Sequence, residues 1–130
     1  MTDTKKKVIL VVEDDSALRT ALHDKLTIKG FFPVEARSGE EGLQFAKRDR
    51  PDLILLDILM PEMDGLAMMK KVREIDAWGK QVPIILLTNL TADTAEIRDA
   101  VAEGAPTQYL IKSDWTIDQV VEKVKEGLSI

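Results

Sequence analysis

Carboxylates gather at two points in this sequence, and each point closes an apolar run. Glu13, Asp14 and Asp15 follow Val8–Val12, and Asp57 follows Leu53-Ile54-Leu55-Leu56. Thr88 closes a further run, Ile84–Leu87, and Lys112 closes another, Tyr109–Ile111. Three carboxylates within a few ångströms would repel strongly, and one would take up a proton unless a cation intervened. A hard divalent ion relieves this with oxygen ligands. Mg²⁺ uses one or two carboxylates, retained waters and phosphate oxygens. A lysine charge and a threonine hydroxyl beside such acids suit a transferring phosphoryl group, with an aspartate as the attacking nucleophile. Aspartate, with an ordinary pKa near about 3.9, is ionised at neutral pH and needs no general base. That fits a chain in which His23 is the only histidine and cysteine is absent, which excludes two-imidazole sites, thiolate zinc sites and cysteine nucleophiles. Each residue also has an ordinary role to be weighed. An acidic pair after a strand can be a helix cap, Asp57 can be a turn residue, and Thr88 and Lys112 can be structural or solvated. Their shared placement at successive run ends favours chemistry.

Elements must bring these residues together, and the pattern supplies them. Counting Phe32–Ala36, five short apolar runs start about 25 residues apart, the length of a strand plus a crossover helix. Several are apolar at consecutive positions, as in strands covered on both faces. Between them Leu18, Leu22 and Leu26 recur at helical spacing, with Gly30 placed to end the helix. Ser38 precedes a helix over Gly39–Arg48, which Pro51 follows. Asp64 caps one from Gly65 to about Ile75, and Thr91 one through about Glu103, with Gly104 ending it. Ile117, Val120, Val121, Val124 and Leu128 stripe a last helix. The expectation is an α/β fold, a (βα)5 doubly wound open parallel sheet with the flavodoxin-like strand order 2-1-3-4-5. Ligands in such sheets bind beyond the carboxyl ends of the strands at the switch point. That order makes the first and third strands neighbours, so Glu13, Asp14 and Asp57 converge. His23 is expected at a boundary or exposed, and Met60, Met63, Met68 and Met69 in packing.

The 130 residues, 45% apolar and 32% charged, bound the chain to one ordinary globular domain. Lys and Arg number 18 against 23 Asp and Glu, a net charge of −5 that disfavours direct nucleic-acid or anionic-membrane binding. Lys5, Lys6 and Lys7 before Val8–Val12 imitate a signal peptide, but five apolar residues are too few for a secretory core or a span. A cytoplasmic location is the expectation.

The stretch Asp57-Ile58-Leu59-Met60-Pro61-Glu62-Met63-Asp64-Gly65 resembles the D-x-x-M-P-x-M-D-G segment of response regulator receiver domains from two-component systems, and the likeness spans about residues 7–128. The resemblance implies that Asp57 is the phosphoacceptor and that Glu13, Asp14, Asp57 and the backbone carbonyl of Leu59 hold Mg²⁺, Asp14 directly and Glu13 through water. It implies that Thr88 is the switch hydroxyl, Lys112 the phosphoryl-binding lysine and Tyr109 the aromatic that changes rotamer. The phosphoryl donor is then a sensor histidine kinase or a phosphotransfer protein. A downstream protein would dock on the fourth helix, fifth strand and fifth helix, about Thr91–Ser129, with a homodimer on activation as a further option. Such a chain is a signalling phosphoacceptor that assists its own phosphorylation and slow dephosphorylation, not a conventional enzyme. The expectation is a single receiver domain, 1–130, with no output domain. In receivers the residues two beyond the phosphoacceptor and the switch threonine flank the path of the hydrolytic water; here both are leucine, Leu59 and Leu90, so the resemblance implies a long-lived phosphorylated state. Three departures stand out: Ser113 follows Lys112 where the family has proline after a cis bond, the segment Gly104–Lys112 is one residue longer, and Asn89 follows Thr88 where a small residue is usual. The alternatives are a receiver fold kept as a phosphorylation-independent scaffold and a Mg²⁺-dependent aspartyl phosphatase. The latter lacks the second acid that its family places where Leu59 stands.

Overall fold

A computed structural model describes residues 6–58, 60, 64–88 and 95–130 of the chain. Strands β1 (Val8–Val12), β2 (Phe32–Ala36), β3 (Leu53–Leu56), β4 (Ile84–Thr88) and β5 (Gln108–Ile111) alternate with helices α1 (Ser16–Ile28), α2 (Gly39–Asp49), α3 (Gly65–Arg73), α4 (Ala77–Gln81), α5 (Ala95–Gly104) and α6 (Ile117–Gly127). All strand pairs are parallel and the order is β2-β1-β3-β4-β5, as the spacing predicts.

The consecutive apolar residues of the strands feed two cores, one on each face of the sheet. Ile9, Val11, Leu53, Leu55, Ile85 and Leu87 meet Leu22 and Leu26 of α1 and Val120, Val121 and Val124 of α6. Their neighbours Leu10, Val12, Ile54, Leu56, Ile84 and Leu86 meet Ala46 of α2 and Met68, Met69 and Val72 of α3. Each large side chain so buried contributes roughly 1.5–3 kcal/mol. Met60, Met68 and Met69 pack as expected, while Met63 lies outside the described residues. Strand β2 is an edge, and Pro33 stands in it. The Phe32 amide donates to the Lys7 carbonyl and the Ala36 carbonyl accepts from Glu13, so Pro33, one step along, turns its nitrogen to the open side, where no partner is needed.

Caps fix the helix ends. The Asp15 carboxylate accepts from the Ala17 and Leu18 amides, Ser38 from Glu41 and Asp64 from Ala67, and Thr116 and Gln119 form a reciprocal capping box on α6. Past α1, Gly30 takes φ 93°, a left-handed position that suits glycine. Two local features differ from the pattern. Helix α3 stops at Arg73 instead of near Ile75, because Asp76 is extended and caps a separate short helix, α4, through the Gly79 amide. After β5 the chain makes a 3-10 turn, Lys112–Asp114, and the described residues contain no cis peptide, so the Lys112–Ser113 bond is trans. The expected Thr91 cap lies outside the described residues, and α5 is described from Ala95.

One side chain ties the far end of the molecule together. The Arg73 guanidinium donates to the carbonyls of Gly104 (2.7 Å), Gly79 (3.0 Å), Val82 (2.7 Å) and Ala105 (3.1 Å). It thereby joins α3, α4, the approach to β4 and the end of α5. Burial presses the Arg73 pKa down from its ordinary value. Among the described residues, no helix is long and apolar enough to cross a membrane.

Candidate functional site

Parallel register places the ends of β1 and β3 side by side. Val12 pairs with Leu56, and the Asp57 amide donates to the Val12 carbonyl at 3.0 Å. The next residue of each strand is therefore an acid, Glu13 beside Asp57. Both are nearly buried, at 2% and 3% exposure, whereas Asp14 is exposed. Carboxylate oxygens of Glu13, Asp14 and Asp57 all lie within 4.8 Å of one another. Such an oxygen set, one member open to solvent, fits a hard divalent cation.

Lys112 enters this cluster from β5. Its Nζ lies 2.8 Å from Glu13 Oε1 and 3.2 Å from Asp57 Oδ2. One ammonium thus serves two buried carboxylates, leaving the three-acid group short of positive charge. Burial pushes the Glu13 carboxyl up to about 7, against the Lys112 hydrogen bond and the Asp15 amide, which pull it down, while the Asp57 charge adds to the rise. For Lys112 burial acts to lower the pKa, but the Glu13 and Asp57 carboxylates outweigh it and the net shift is upward.

Glu13 is held at every polar atom. Its amide donates to Ala36 O at 3.0 Å, its carbonyl accepts from Arg19 Nη1 at 2.9 Å, and its Oε2 accepts from the Asp15 amide at 3.1 Å. Lys112 holds the remaining oxygen. Asp15 directs its own carboxylate to the start of α1, away from the cluster.

Thr88 closes β4 with its side chain fully buried, level with Ile111, the residue before Lys112. Tyr109 lies on β5 opposite Leu86 with about a third of its surface exposed. Leu59, Asn89 and Leu90 lie outside the described residues. Gly65 has a clear reason to be glycine: a Cβ there would run into the Asp57 carbonyl. His23 is at a boundary, as expected. Its Nδ1 lies 3.1 Å from Glu35 Oε2 without hydrogen-bond geometry. Sequence reasoning missed Arg19. Its signal was an arginine on the Leu22–Leu26 stripe of α1, three residues before Leu22.

The sequence profile of the response regulator receiver domain matches residues 9–125. The chain belongs to this family. Among curated relatives, this receiver is 46% identical over 104 residues to the transcriptional regulatory protein AfsQ1 of Streptomyces coelicolor, covering 80% of this chain and 44% of that one. It is 32% identical over 122 residues to the chemotaxis protein CheY of Bacillus subtilis, covering 93% and 97%. The chain therefore spans less than half the length of the first of these relatives. Among solved structures, it matches the receiver domain of the sensor histidine kinase PA1611 from Pseudomonas aeruginosa, with a TM-score of 0.82 and 25% identity over 97% of this chain and all of that one. That structure has a magnesium ion coordinated in its active-site cleft.

Proposed function

We propose that this receiver takes a phosphoryl group onto Asp57 from a phosphohistidine of a sensor kinase or phosphotransfer protein, with Mg²⁺ bound at the acidic cluster. The observation that carries this reading is the Lys112 Nζ bridging Glu13 and Asp57 beside the exposed Asp14, at the carboxyl ends of neighbouring strands. In the transfer an Asp57 oxygen attacks phosphorus, the P–N bond breaks, and the partner's imidazole leaves. Asp14, Asp57, the Leu59 carbonyl and, through water, Glu13 would hold Mg²⁺, which supplies charge neutralisation for the phosphoryl oxygens. Lys112 then exchanges its Asp57 contact for a phosphoryl oxygen. The Thr88 hydroxyl donates to another, and Tyr109 changes rotamer in response. The output of this switch is protein contact on α5, β5 and α6, with self-association as one form of it. Residues 7–128 act as one receiver unit, working in the cytoplasm where its phosphohistidine donors are made.

The test is incubation with acetyl phosphate and MgCl₂ followed by intact-mass measurement. One phosphoryl adduct is expected, absent in EDTA and absent from Asp57→Asn. A normal adduct on Asp57→Asn would refute the assignment.

A further inference from the structure

Arg19 occupies a position that the reaction as described does not use. It lies on α1 with its side chain only 12% exposed, and it makes two contacts of different kinds. Its Nη1 donates to the Glu13 carbonyl at 2.9 Å, and its Nε donates to Glu35 Oε1 on β2 at 3.1 Å. The Glu13 carbonyl belongs to the peptide that joins Glu13 to Asp14. Beyond Val12 the ladder no longer serves that oxygen, and a buried carbonyl left without a donor is costly. A guanidinium is a planar fork whose hydrogen bonds fix orientation as well as charge.

We propose that Arg19, braced by Glu35, is a positioning residue for the acidic rim: it fixes the Glu13–Asp14 peptide so that both carboxylates face the cation. This rests on the reading of the cluster as a Mg²⁺ site. Among the described residues Glu35 reaches the rim through Arg19, its other oxygen lying 3.1 Å from the His23 ring. Groups that orient a metal ligand without touching the metal typically change its affinity by about 10–100-fold when removed.

The experiment compares the parent protein with Arg19→Met, Glu35→Gln, the double variant, Asp14→Asn and Lys25→Met. Lys25 pairs with Asp118 at 2.8 Å and serves as a control for an α1 ion pair remote from the rim. The metal-free protein is read by the amide NMR shift of Asp14, and the site by titration with MgCl₂. Arg19→Met should move the Asp14 amide and weaken Mg²⁺ about tenfold, the double variant should match it, and Glu35→Gln should lose less. Lys25→Met should keep parental affinity whatever its thermal stability. Thermal unfolding and Arg19→Lys, which keeps the charge but not the fork, separate misfolding from mispositioning; an intermediate affinity for Arg19→Lys supports the proposal. Parental affinity and an unmoved Asp14 amide in Arg19→Met would overturn it. If Asp14→Asn loses binding while Arg19→Met keeps it, this proposal alone fails. If the parent binds no Mg²⁺, the reading of the site fails and takes the proposal with it.

Discussion

At the scale of single residues, the site assigns different work to three successive acids. Glu13 is buried and held at four atoms, Asp14 is exposed beside it, and Asp15 caps α1. Asp14→Asn is therefore expected to weaken Mg²⁺ binding at least tenfold, about 1.4 kcal/mol or more. Asp15→Asn should change it little, because asparagine caps helices as well as aspartate does. Calorimetric titration of both variants checks this, and equal losses would mean that the acidic run is assigned one residue out of place. A second prediction concerns the lifetime of the phosphorylated state. Neither Leu59 nor Leu90 can orient a water or accept its proton, so phosphate release should be slow. Leu90→Glu should speed it by several-fold up to about tenfold, equal to roughly 1.4 kcal/mol of barrier. Phosphate release from the two purified phosphoproteins in excess Mg²⁺ measures this. Equal rates would show that leucine shielding does not set the lifetime.

At the scale of elements, the fifth strand and its turn join Lys112 at the site to α6, the face proposed for output. Lys112 opens the 3-10 turn, Trp115 follows it, and Lys123 of α6 lies 5.2 Å from the Trp115 ring centre. Trp78, in α4 at the opposite end of the strands, donates its indole N–H to Pro51 O instead. Beryllofluoride with Mg²⁺ should alter the emission of Trp78→Phe, whose remaining indole is Trp115, and leave Trp115→Phe nearly unchanged. The reverse pattern would separate this turn from the site. Most element positions were legible because apolar runs and caps are local: β1, β2 and β3 fall on the residues that the runs name. The early stop of α3 was not. Val72, Arg73, Glu74 and Ile75 all suit a helix, and only the extended Asp76 and its bond to Gly79 show where the next one starts. Nor could the turn at Lys112 be read, since the Ser113 in the place of a proline leaves the backbone undetermined by local rules.

At the scale of the molecule, the convergence of Glu13, Asp14 and Asp57 followed from strand order, because alternating strands and helices with right-handed crossovers leave few topologies. The Arg19 and Arg73 contacts did not follow, because both arginines bond to backbone carbonyls outside their own helices, and a carbonyl has no residue signature. Arg73→Met is expected to destabilise the fold by about 2–4 kcal/mol, since several carbonyls would lose their donor at once. Urea unfolding should show this, while Mg²⁺ affinity stays near parental because the site lies at the other end of the sheet. A stability unchanged within about 0.5 kcal/mol would mean that water replaces the guanidinium without loss.

The same tie has a consequence for how α5 can move. Its carboxyl end is bolted through Gly104 and Ala105 to Arg73, and Ala105 itself takes a left-handed φ of 46°. Its amino end connects back to Thr88, at the rim where charge would arrive. A rod fixed at one end and pushed at the other swings instead of sliding, so a displacement driven from the rim is expected to grow along α5 toward Ala95. Deuterium uptake on activation should then form a gradient, greatest near Ala95 and vanishing toward Gly104.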